Sequence, residues 1–390
     1  MISVSEALTK VFALATPLDK EFVPLRHASG RVLAAPTSAR RNQPPFAASV
    51  MDGYAIPTES IATGDTFEVI GEAAAGHRFG GTLTQGQAVR IFTGAPLPIG
   101  AKRVVIQEDI SRDADVIKVS RSTDSSLYIR DEGADFKVND TLAPARRLSP
   151  RDIALIAAMN HSEVTVTRRP IVALMATGDE LVMPGEHPNA DQIIASNTFG
   201  LAAMLEEVGA EARMLPISRD TTSSLSAIFD LTGDADLVVT VGGASVGDHD
   251  MVGRVASSRG LERSFYKVAM RPGKPLMAGR LGKSVLLGLP GNPVSAMVCG
   301  RIFMLPLIES LLGLPKLPAI RKVATLTMNL AANGAREHYM RAQVSGGQVA
   351  VSDRQDSALL SVLSDANALV VRPPADPAKS AGESVEYIDL

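Results

Sequence analysis

A buried strand that breaks into a glycine-rich turn constrains this chain more than any other stretch of its sequence. The β-branched run Leu237–Val241 predicts a strand covered on both faces, and a helical pattern begins at Met251. Between them lie the small residues Gly242, Gly243, Ser245 and Gly247. Such a unit presents free backbone N–H groups where anionic ligands bind. The alternative is an ordinary βα turn in which Asp248 or Asp250 caps the helix.

Acidic side chains stand beside this turn and beside a second one. Asp248 and Asp250 would repel a bare anion, so a hard cation is expected to bind with it. Asp179 and Glu180, which follow another predicted strand, offer the same kind of oxygen donor. These four carboxylates are the candidate ligands for Mg²⁺ held together with substrate phosphates.

Strand-like and helix-like patterns alternate from Arg169 onward. Strand-like runs at 171–175, 213–217 and 237–241 precede helical patterns at 197–208, 222–231 and 251–258. This alternation predicts a doubly wound, mostly parallel sheet. The glycine-rich turns all follow strands, so they share one edge of the sheet and their polar groups can converge.

Two further segments offer cationic or anion-binding groups. The stiff Arg271–Pro275 loop carries Arg271 and Lys274, and a helix begins after Asn292. The chain has no Walker-type loop, no Gly-x-Gly-x-x-Gly after its first strand and no Gly-x-Ser-x-Gly elbow. From the residues alone, the prediction is a Mg²⁺-dependent α/β protein that binds a phosphorylated compound.

Composition limits the partners and the location. With 39 Lys+Arg against 42 Asp+Glu, the formal charge of −3 gives no basic footprint for nucleic acid. A single cysteine, Cys299, excludes an internal disulfide, and six scattered histidines make a zinc site improbable on this pattern. We find neither a secretory leader pattern nor an apolar run of about 18 residues, so we expect a cytoplasmic protein without a membrane span.

The length of 390 residues suggests about two to four domains. A capping box at Ser3–Glu6 predicts an amphipathic first helix, and Ser149–Pro150 predicts a second that packs beside it. The predicted domains are a discontinuous helical domain at 1–43 and 138–165, a β-rich insertion at 44–137, the α/β domain at 166–316 and a small β-rich domain at 317–390.

Six ordered motifs together resemble the molybdopterin molybdenumtransferase family, the bacterial MoeA proteins related to the gephyrin E domain. They are Ser49–Ala55, Ile91–Pro98, Ala176–Leu181, Val241–Gly247, Arg271–Pro275 and Gly288–Ser295. The resemblance implies insertion of molybdate into adenylylated molybdopterin with release of AMP and with Mg²⁺ present. It also implies a homodimer whose cleft lies between the α/β domain of one subunit and the β-rich insertion of the other.

The resemblance also implies roles for individual residues. Those expected to hold the pterin and its phosphates are Gly242, Gly243, Ser245, Gly247, Asn292 and Ser295. Those expected to serve Mg²⁺ and the AMP phosphate are Glu180 and Asp250, with Asp220 nearby. Those expected to hold phosphate or molybdate are Lys267, Arg271, Lys274, Arg341 and Ser357. The β-rich insertion of the other subunit is expected to contribute Asp52, Thr93 and Asp135 to the cleft.

Four positions depart from the family pattern. Ala47 and Ala195 stand where acidic residues are common, and Arg271 stands where Lys is usual. Asp356 replaces the Gly of a Gln-Gly-Ser motif, so its charge is expected to weaken binding of a neighbouring anion.

Two other functions remain open at this point. The shared α/β domain also fits a molybdopterin adenylyltransferase, although that enzyme is a single-domain protein. A non-catalytic cofactor carrier or scaffold is the third reading. Molybdopterin adenylyltransferase and molybdoenzyme chaperones are possible partners.

Overall fold

The computed structural model describes residues 1–122, 124–243 and 251–390. The chain opens with helix α1 (Val4–Leu14), and the predicted capping box is present. The Ser3 hydroxyl accepts from the Glu6 amide at 3.1 Å, while the Glu6 carboxylate accepts from the Ser3 amide at 2.8 Å. The apolar face of α1 is buried, as its spacing predicts, and it packs into the core of the α/β domain.

A short β-rich segment follows α1 and leads into the insertion. Its strands are β1 (Lys20–Pro24), β2 (Val32–Leu33) and β3 (Thr37–Ser38), with a 3-10 turn at Leu25–His27.

The insertion is β-rich, as the sequence predicts. Its strands are β4 (Ala48–Ser49), β5 (Gly53–Ile56), β6 (Thr66–Ala73), β7 (Gln87–Ile91), β8 (Arg103–Ile106), β9 (Ile110–Asp113), β10 (Val116–Val119) and β11 (Ile129–Arg130), with a 3-10 turn at Gln107–Asp109. Six of them form one sheet in the order β8-β5-β7-β6-β10-β9, and β4 pairs with β11. Two separate apolar clusters form around this sheet, so the insertion has its own core.

The chain then returns to the segment that precedes the insertion. The returning elements are β12 (Thr141–Leu142), β13 (Arg146–Arg147), α2 (Pro150–Ala158) and β14 (Glu163–Thr167). The two halves join in a four-stranded sheet of order β1-β14-β2-β13, and β3 pairs with β12. This discontinuous unit is therefore less helical than expected, because its short strands find partners across the insertion.

The expected packing of α2 beside α1 is wrong. Ile156 of α2 is buried in a cluster with Leu33, Leu148 and Val166 of the discontinuous unit. The buried residues of α1 instead join the α/β core. An amphipathic pattern indicates which face of a helix is buried, but it does not identify the partner surface.

The α/β domain contains the predicted doubly wound sheet. Its strands are β15 (Ile171–Ala176), β16 (Leu181–Val182), β17 (Ile193–Ile194), β18 (Glu211–Met214), β19 (Leu237–Val241), β20 (Leu261–Tyr266), β21 (Met270–Arg271), β22 (Met277–Leu281) and β23 (Ser284–Leu289). Its helices are α3 (Asn197–Glu207), α4 (Thr222–Asp230), α5 (Met251–Ser258), α6 (Pro293–Cys299) and α7 (Leu305–Leu311), with a π-helical segment at Gly300–Met304 between the last two.

The sheet order is β18-β15-β19-β23-β22-β20. The first four strands are parallel, and β22 and β20 add an antiparallel edge. Side chains alternate along β15, so Val172 and Leu174 face α1, α3, α6 and α7, whereas Ala173 and Met175 face α4 and α5. Helices on both faces confirm the doubly wound arrangement.

The helical stretch Pro293–Leu311 has the length and composition of a membrane span, with 19 residues and a mean hydropathy of 1.6. The sequence reading had found no such segment, because Arg301 and Glu309 interrupt the apolar run. Of its most apolar window, 83% is buried inside the protein. This burial is typical of a core helix, and the cytoplasmic location stays a prediction.

The C-terminal domain is a small closed barrel. Its elements are β24 (Lys322–Leu326), β25 (Glu337–Ser345), β26 (Gln348–Val351), α8 (Leu360–Ser364), β27 (Ala368–Arg372) and β28 (Ser384–Asp389). The strands pair in the order β25-β26-β24-β28-β27, and β27 pairs again with β25 to close the ring. Strand β21 of the α/β domain pairs in parallel with the start of β25, which joins the two domains.

Candidate functional site

A cleft of about 690 Å³ lies at the carboxyl ends of β15, β19 and β23. The turns that follow these strands line it together, at residues 176–181, 241–243 and 290–293. The start of α3 and the two-residue ladder of β16 and β17 complete its wall. This arrangement confirms that the glycine-rich turns share one edge of the sheet.

Glycine is required where β19 turns. Gly242 and Gly243 have φ angles of +90° and +63°, which L side chains rarely adopt. A Cβ on Gly242 would lie 2.7 Å from the Thr177 carbonyl oxygen, and one on Gly243 would lie 2.4 Å from a methyl of Val252. Both glycines line the cleft, as predicted. The predicted residues Ser245, Gly247, Asp248 and Asp250 lie outside the described residues.

Three carboxylates stand near one another at the acidic side of the cleft. Glu180 and Asp220 line the cleft, and the Asp220 amide donates to Asp179 Oδ1 at 3.2 Å. Burial, together with the charges of Asp179 and Glu180, raises the pKa of the Asp220 carboxyl. Across residues 1–122, 124–243 and 251–390, no group of three or more His, Cys, Asp or Glu side chains is arranged to hold a metal ion.

Two asparagines connect the cleft to its surroundings. Asn197 Nδ2 donates to the Gly291 carbonyl at 2.7 Å, which ties the start of α3 to the turn before α6. Asn292 Nδ2 donates to Ser357 Oγ at 3.0 Å, and the Val294 amide donates to the Ser357 carbonyl at 3.0 Å. The start of α6 is therefore fastened to the C-terminal barrel.

A second cavity of about 380 Å³ shares Pro275 and Asn292 with the cleft. Besides Asn292, four residues predicted to bind anions or the cofactor line it, namely Arg271, Lys274, Ser295 and Ser357. Counting Arg336 as well, its wall carries three cationic side chains and the carboxylate of Asp356, a net charge of +2. Such a wall attracts a small dianion.

Arg336 is a residue that sequence reasoning missed. It precedes β25, and its Nη1 donates to the Met270 carbonyl at 3.3 Å. The nearby His338 side chain is buried among arginines. Burial, followed by the charges of Arg271, Arg341, Arg336 and Arg372, lowers the pKa of His338 to about 4. Because burial is the largest cause of this shift, the His338 imidazole is neutral near pH 7 chiefly because it is enclosed.

The Arg341 guanidinium binds the backbone of the loop that carries Ser357, and its predicted role in binding an oxyanion stays a prediction. Its side chain is buried and does not line either cavity. Its Nη1 donates to the Asp356 carbonyl at 2.7 Å, its Nη2 donates to the Arg354 carbonyl at 3.1 Å, and its Nε donates to Gln355 Oε1 at 3.2 Å. Arg341 therefore supports the loop that carries Ser357, because its guanidinium is directed at that loop.

Asp356 lines the second cavity, as its place in the motif predicts. Its Oδ1 accepts from the Ala358 amide at 2.8 Å, so the carboxylate also stabilises the turn. Its weakening of anion binding stays a prediction. Ala195, another departure from the family pattern, lines the cleft just before Asn197 and contributes no charge there.

Lys267 does not line either cavity within the described part of the chain. Its backbone has a φ of +69°, and its Nζ lies 5.0 Å from the centre of the Tyr266 ring. The backbone amide of Lys267 donates to the Leu276 carbonyl at 2.9 Å. The predicted role of Lys267 in anion binding therefore has no support from its position.

Residues predicted from the insertion form a separate group. Asp52 Oδ1 accepts from both the amide and the hydroxyl of Thr93, each at 2.7 Å. These two hydrogen bonds lower the pKa of the Asp52 carboxyl, so Asp52 is held ionised. Asp135 is exposed, and its amide donates to the Gln43 carbonyl at 2.9 Å. None of the three lines the cleft or the second cavity of its own chain.

An apolar wall of the cleft also escaped the sequence reading. Leu181, Ile193 and Ile194 line the cleft from the β16–β17 ladder, and Ile193 is 58% exposed. Exposed isoleucines inside a polar cleft provide a flat apolar surface for a ring.

Models of three protein families match the chain. The MoeA N-terminal region (domain I and II) matches residues 2–160, a probable molybdopterin binding domain matches 173–310, and the MoeA C-terminal region (domain IV) matches 323–390. The matches follow one another in sequence order and leave only short gaps.

Curated relatives and solved structures match over the full length. A molybdopterin molybdenumtransferase of Nostoc sp. is 34% identical over 100% of this chain and 94% of its own length. One of Haemophilus influenzae is 33% identical over 99% and 98%. The crystal structure of a MoeA protein from Pyrococcus horikosii covers 100% of this chain and 99% of its own, with a TM-score of 0.86 and 28% identity. The chain therefore belongs to the MoeA family of molybdopterin molybdenumtransferases.

Proposed function

We propose that this protein inserts molybdate into adenylylated molybdopterin and releases AMP. The observation that carries the proposal is the meeting of two unlike cavities at Asn292. The cleft offers glycine turns and an apolar wall, which suit phosphates and a ring. The second cavity, with a net charge of +2, suits a tetrahedral dianion.

The proposed chemistry depends on position and charge. The Gly243 amide and the Asn292 side chain line the cleft and are placed to bind phosphate oxygens, whereas the Gly242 amide already donates to the Leu289 carbonyl at 3.2 Å. Arg271 and Lys274 hold molybdate beside them. The site must bring two oxyanions together against their mutual repulsion, which the cationic side chains reduce. Binding them side by side also removes most of the entropy that two free reactants would lose when they react.

Mg²⁺ is part of the proposal, and the donor set is compatible with it. The described carboxylates do not form a complete cage, but Mg²⁺ commonly binds to one or two protein carboxylates and otherwise to water and substrate phosphates. Glu180 and Asp220 would hold it, because both carboxylates line the cleft, and Asp250 stays a further predicted ligand. When bound, Mg²⁺ would neutralise charge on the phosphoanhydride oxygens.

The alternatives differ in what they do with the second cavity. An adenylyltransferase does not need a site that binds a free oxyanion next to the pterin. In such an enzyme, the barrel residues Arg336 and Ser357 would have no function in the reaction. A carrier would bind the ligand without turnover. The presence of a second, positively charged cavity beside the cleft favours the insertase.

The reaction itself tests the proposal. We expect purified protein with adenylylated molybdopterin, molybdate and Mg²⁺ to release AMP and to yield cofactor that activates an apo-molybdoenzyme. AMP would be measured by chromatography. Consumption of ATP with free molybdopterin would instead indicate an adenylyltransferase, and tight binding without turnover would indicate a carrier.

Substitutions of Arg336 and Arg341 should have different effects, one on molybdate affinity and the other on stability. Arg336→Gln removes a charge from the cavity wall, so molybdate affinity should fall roughly 10- to 100-fold, as losing a hydrogen bond to a charged group costs about 1.5–3 kcal/mol. Its unfolding temperature should stay unchanged. Arg341→Ala removes the hydrogen bonds of a buried guanidinium to the Arg354 and Asp356 carbonyls and should lower stability by about 1–3 kcal/mol.

Molybdate binding by calorimetry and thermal unfolding would measure these effects. Arg151→Gln, an exposed arginine on α2, is the matched control and should change neither. Wild-type molybdate affinity in Arg336→Gln, or unchanged unfolding in Arg341→Ala, would contradict the two assignments.

The Asp220 carboxyl offers a test of Mg²⁺ that does not depend on turnover. Because its pKa is raised in the folded chain, its contribution to stability is greatest at low pH and falls as pH rises through its titration. Adding Mg²⁺ should lower this pKa, and Asp179→Asn should lower it as well.

Carbon-13 NMR titration of labelled aspartates would follow both effects. Asp234 is the internal control, because the guanidinium of Arg213 already lowers its pKa and no cleft carboxylate is involved. If the Asp220 pKa is the same without Mg²⁺ and at a saturating Mg²⁺ concentration, Asp220 is not one of the metal ligands.

We further propose that the protein acts as a homodimer in which Asp52, Thr93 and Asp135 complete the cleft of the partner subunit. The Asp52–Thr93 pair supports this, since it holds an ionised carboxylate that lines neither the cleft nor the second cavity of its own chain. Molybdopterin adenylyltransferase and molybdoenzyme chaperones are proposed partners.

Complementation tests the shared cleft. Asp52→Ala and Asp220→Asn chains should each be inactive alone. When they are refolded together, a mixed dimer has one fully intact cleft, so about a quarter of wild-type activity should return. Activity would be followed as AMP release. If the mixture is no more active than the average of the two variants, each cleft is built from a single chain.

A further inference from the structure

The hydroxyl of Thr177 is buried at the wall of the cleft without a hydrogen-bond partner. The residue is 3% exposed, and its Oγ1 has no partner among the described residues. Thr177 nevertheless lines the cleft. A buried hydroxyl that is left unpaired destabilises the fold, so its presence beside a ligand site requires a reason.

The backbone holds this hydroxyl in place. Thr177 directly follows β15, its amide donates to the Val241 carbonyl at 3.1 Å, and it forms a bridge with Ser218. A Cβ on Gly243 would lie 2.7 Å from Thr177 Oγ1, and a Cβ on Gly242 would lie 3.4 Å from it. The hydroxyl therefore faces the glycine turn, and the turn leaves room for it because it has no side chains.

A second threonine provides a comparison within the same sheet. Thr240 of β19 is fully buried, and its Oγ1 also lacks a partner among the described residues. A Cβ on Gly288 would lie 3.3 Å from that oxygen, so Thr240 is enclosed between strands. It does not line either of the two described cavities. The two residues share chemistry and burial and differ in access to the cleft.

We propose that Thr177 Oγ1 donates a hydrogen bond to a phosphate oxygen of the ligand bound in the cleft. The inference rests on the proposed function for the identity of that ligand, and on the position of the hydroxyl for the contact. The Gly243 amide lines the same part of the cleft and favours an anion there, whereas the Gly242 amide already donates to the Leu289 carbonyl at 3.2 Å. A hydroxyl beside the Gly243 amide adds a charge-assisted hydrogen bond without adding charge.

Thr177→Val tests the contact, because it replaces the hydroxyl with a methyl group of similar shape. The probes are AMP, adenosine and inorganic phosphate, each measured by calorimetry. We expect Thr177→Val to weaken AMP and phosphate roughly 10-fold or more and to leave adenosine unchanged. Thr177→Ser should bind all three like the wild type, and so should Thr240→Val.

Thermal unfolding provides a readout that separates binding from structure. Both valine variants should unfold at the wild-type temperature or above it, because each removes an unpaired buried hydroxyl. Wild-type AMP affinity in Thr177→Val overturns the inference, as does an equal loss for adenosine, or a wild-type protein that binds neither AMP nor phosphate. Failure of the insertion assay with these binding results intact would count against the proposed function alone.

Discussion

The short pairing between β21 and β25 is the interaction on which the candidate site depends. Two residues of the α/β domain, Met270–Arg271, pair with Glu337–His338 of the barrel, and the Glu337 amide also donates to the Ala269 carbonyl at 3.0 Å. The α/β domain contributes Arg271 and Lys274 to the second cavity, and the barrel contributes Arg336 and Ser357. The pairing brings Arg271 of the α/β domain and Arg336 of the barrel to one cavity, together with the hydrogen bonds of Ser357 to Asn292 and Val294.

The site has two poles of opposite charge. At one end, burial and then the neighbouring carboxylates raise the Asp220 pKa, and at the other, burial and then the surrounding arginines lower the His338 pKa to about 4. Asn292 lines both cavities and so stands between them. A ligand that carries a cation at its phosphates and accepts an oxyanion at its other end matches this distribution. Neither half of the proposed reaction needs a nucleophile from the protein, and the buried Cys299 thiol is not available as one.

The sequence predicted those parts of the site that depend on local pattern. The buried run before Gly242 and Gly243, the buried face of α1 and the capping of α2 all follow from neighbouring residues, and the structure confirms them. Parallel strands place their following turns at one edge, so the convergence of Glu180 and Asn292 was also predictable.

What the sequence did not predict depends on contacts between distant segments. Arg336 reaches the second cavity only because a two-residue strand far away in sequence pairs beside it. Arg341 and Thr177 illustrate two ways in which sequence motifs fall short of describing the contacts of a residue. Arg341 belongs to a family motif and binds the loop that carries Ser357, whereas Thr177 lies in the motif Ala176–Leu181 without a predicted role and carries a hydroxyl that has no partner among the described residues. Hydrogen bonds between distant segments are a property of the folded chain, and no local spacing rule predicts them, unlike the capping box of α1.

The carboxylate of Asp356 can be understood from the charge of the cavity as a whole. A lone aspartate next to an anion site repels the anion, which is the argument from sequence. Here three cations share the wall, so the net charge of +2 equals the charge that a dianion brings. Binding then neutralises the cavity instead of leaving excess positive charge. Because the Ala358 amide holds the Asp356 carboxylate in its turn, the negative charge is fixed in place, and Arg336 offsets it.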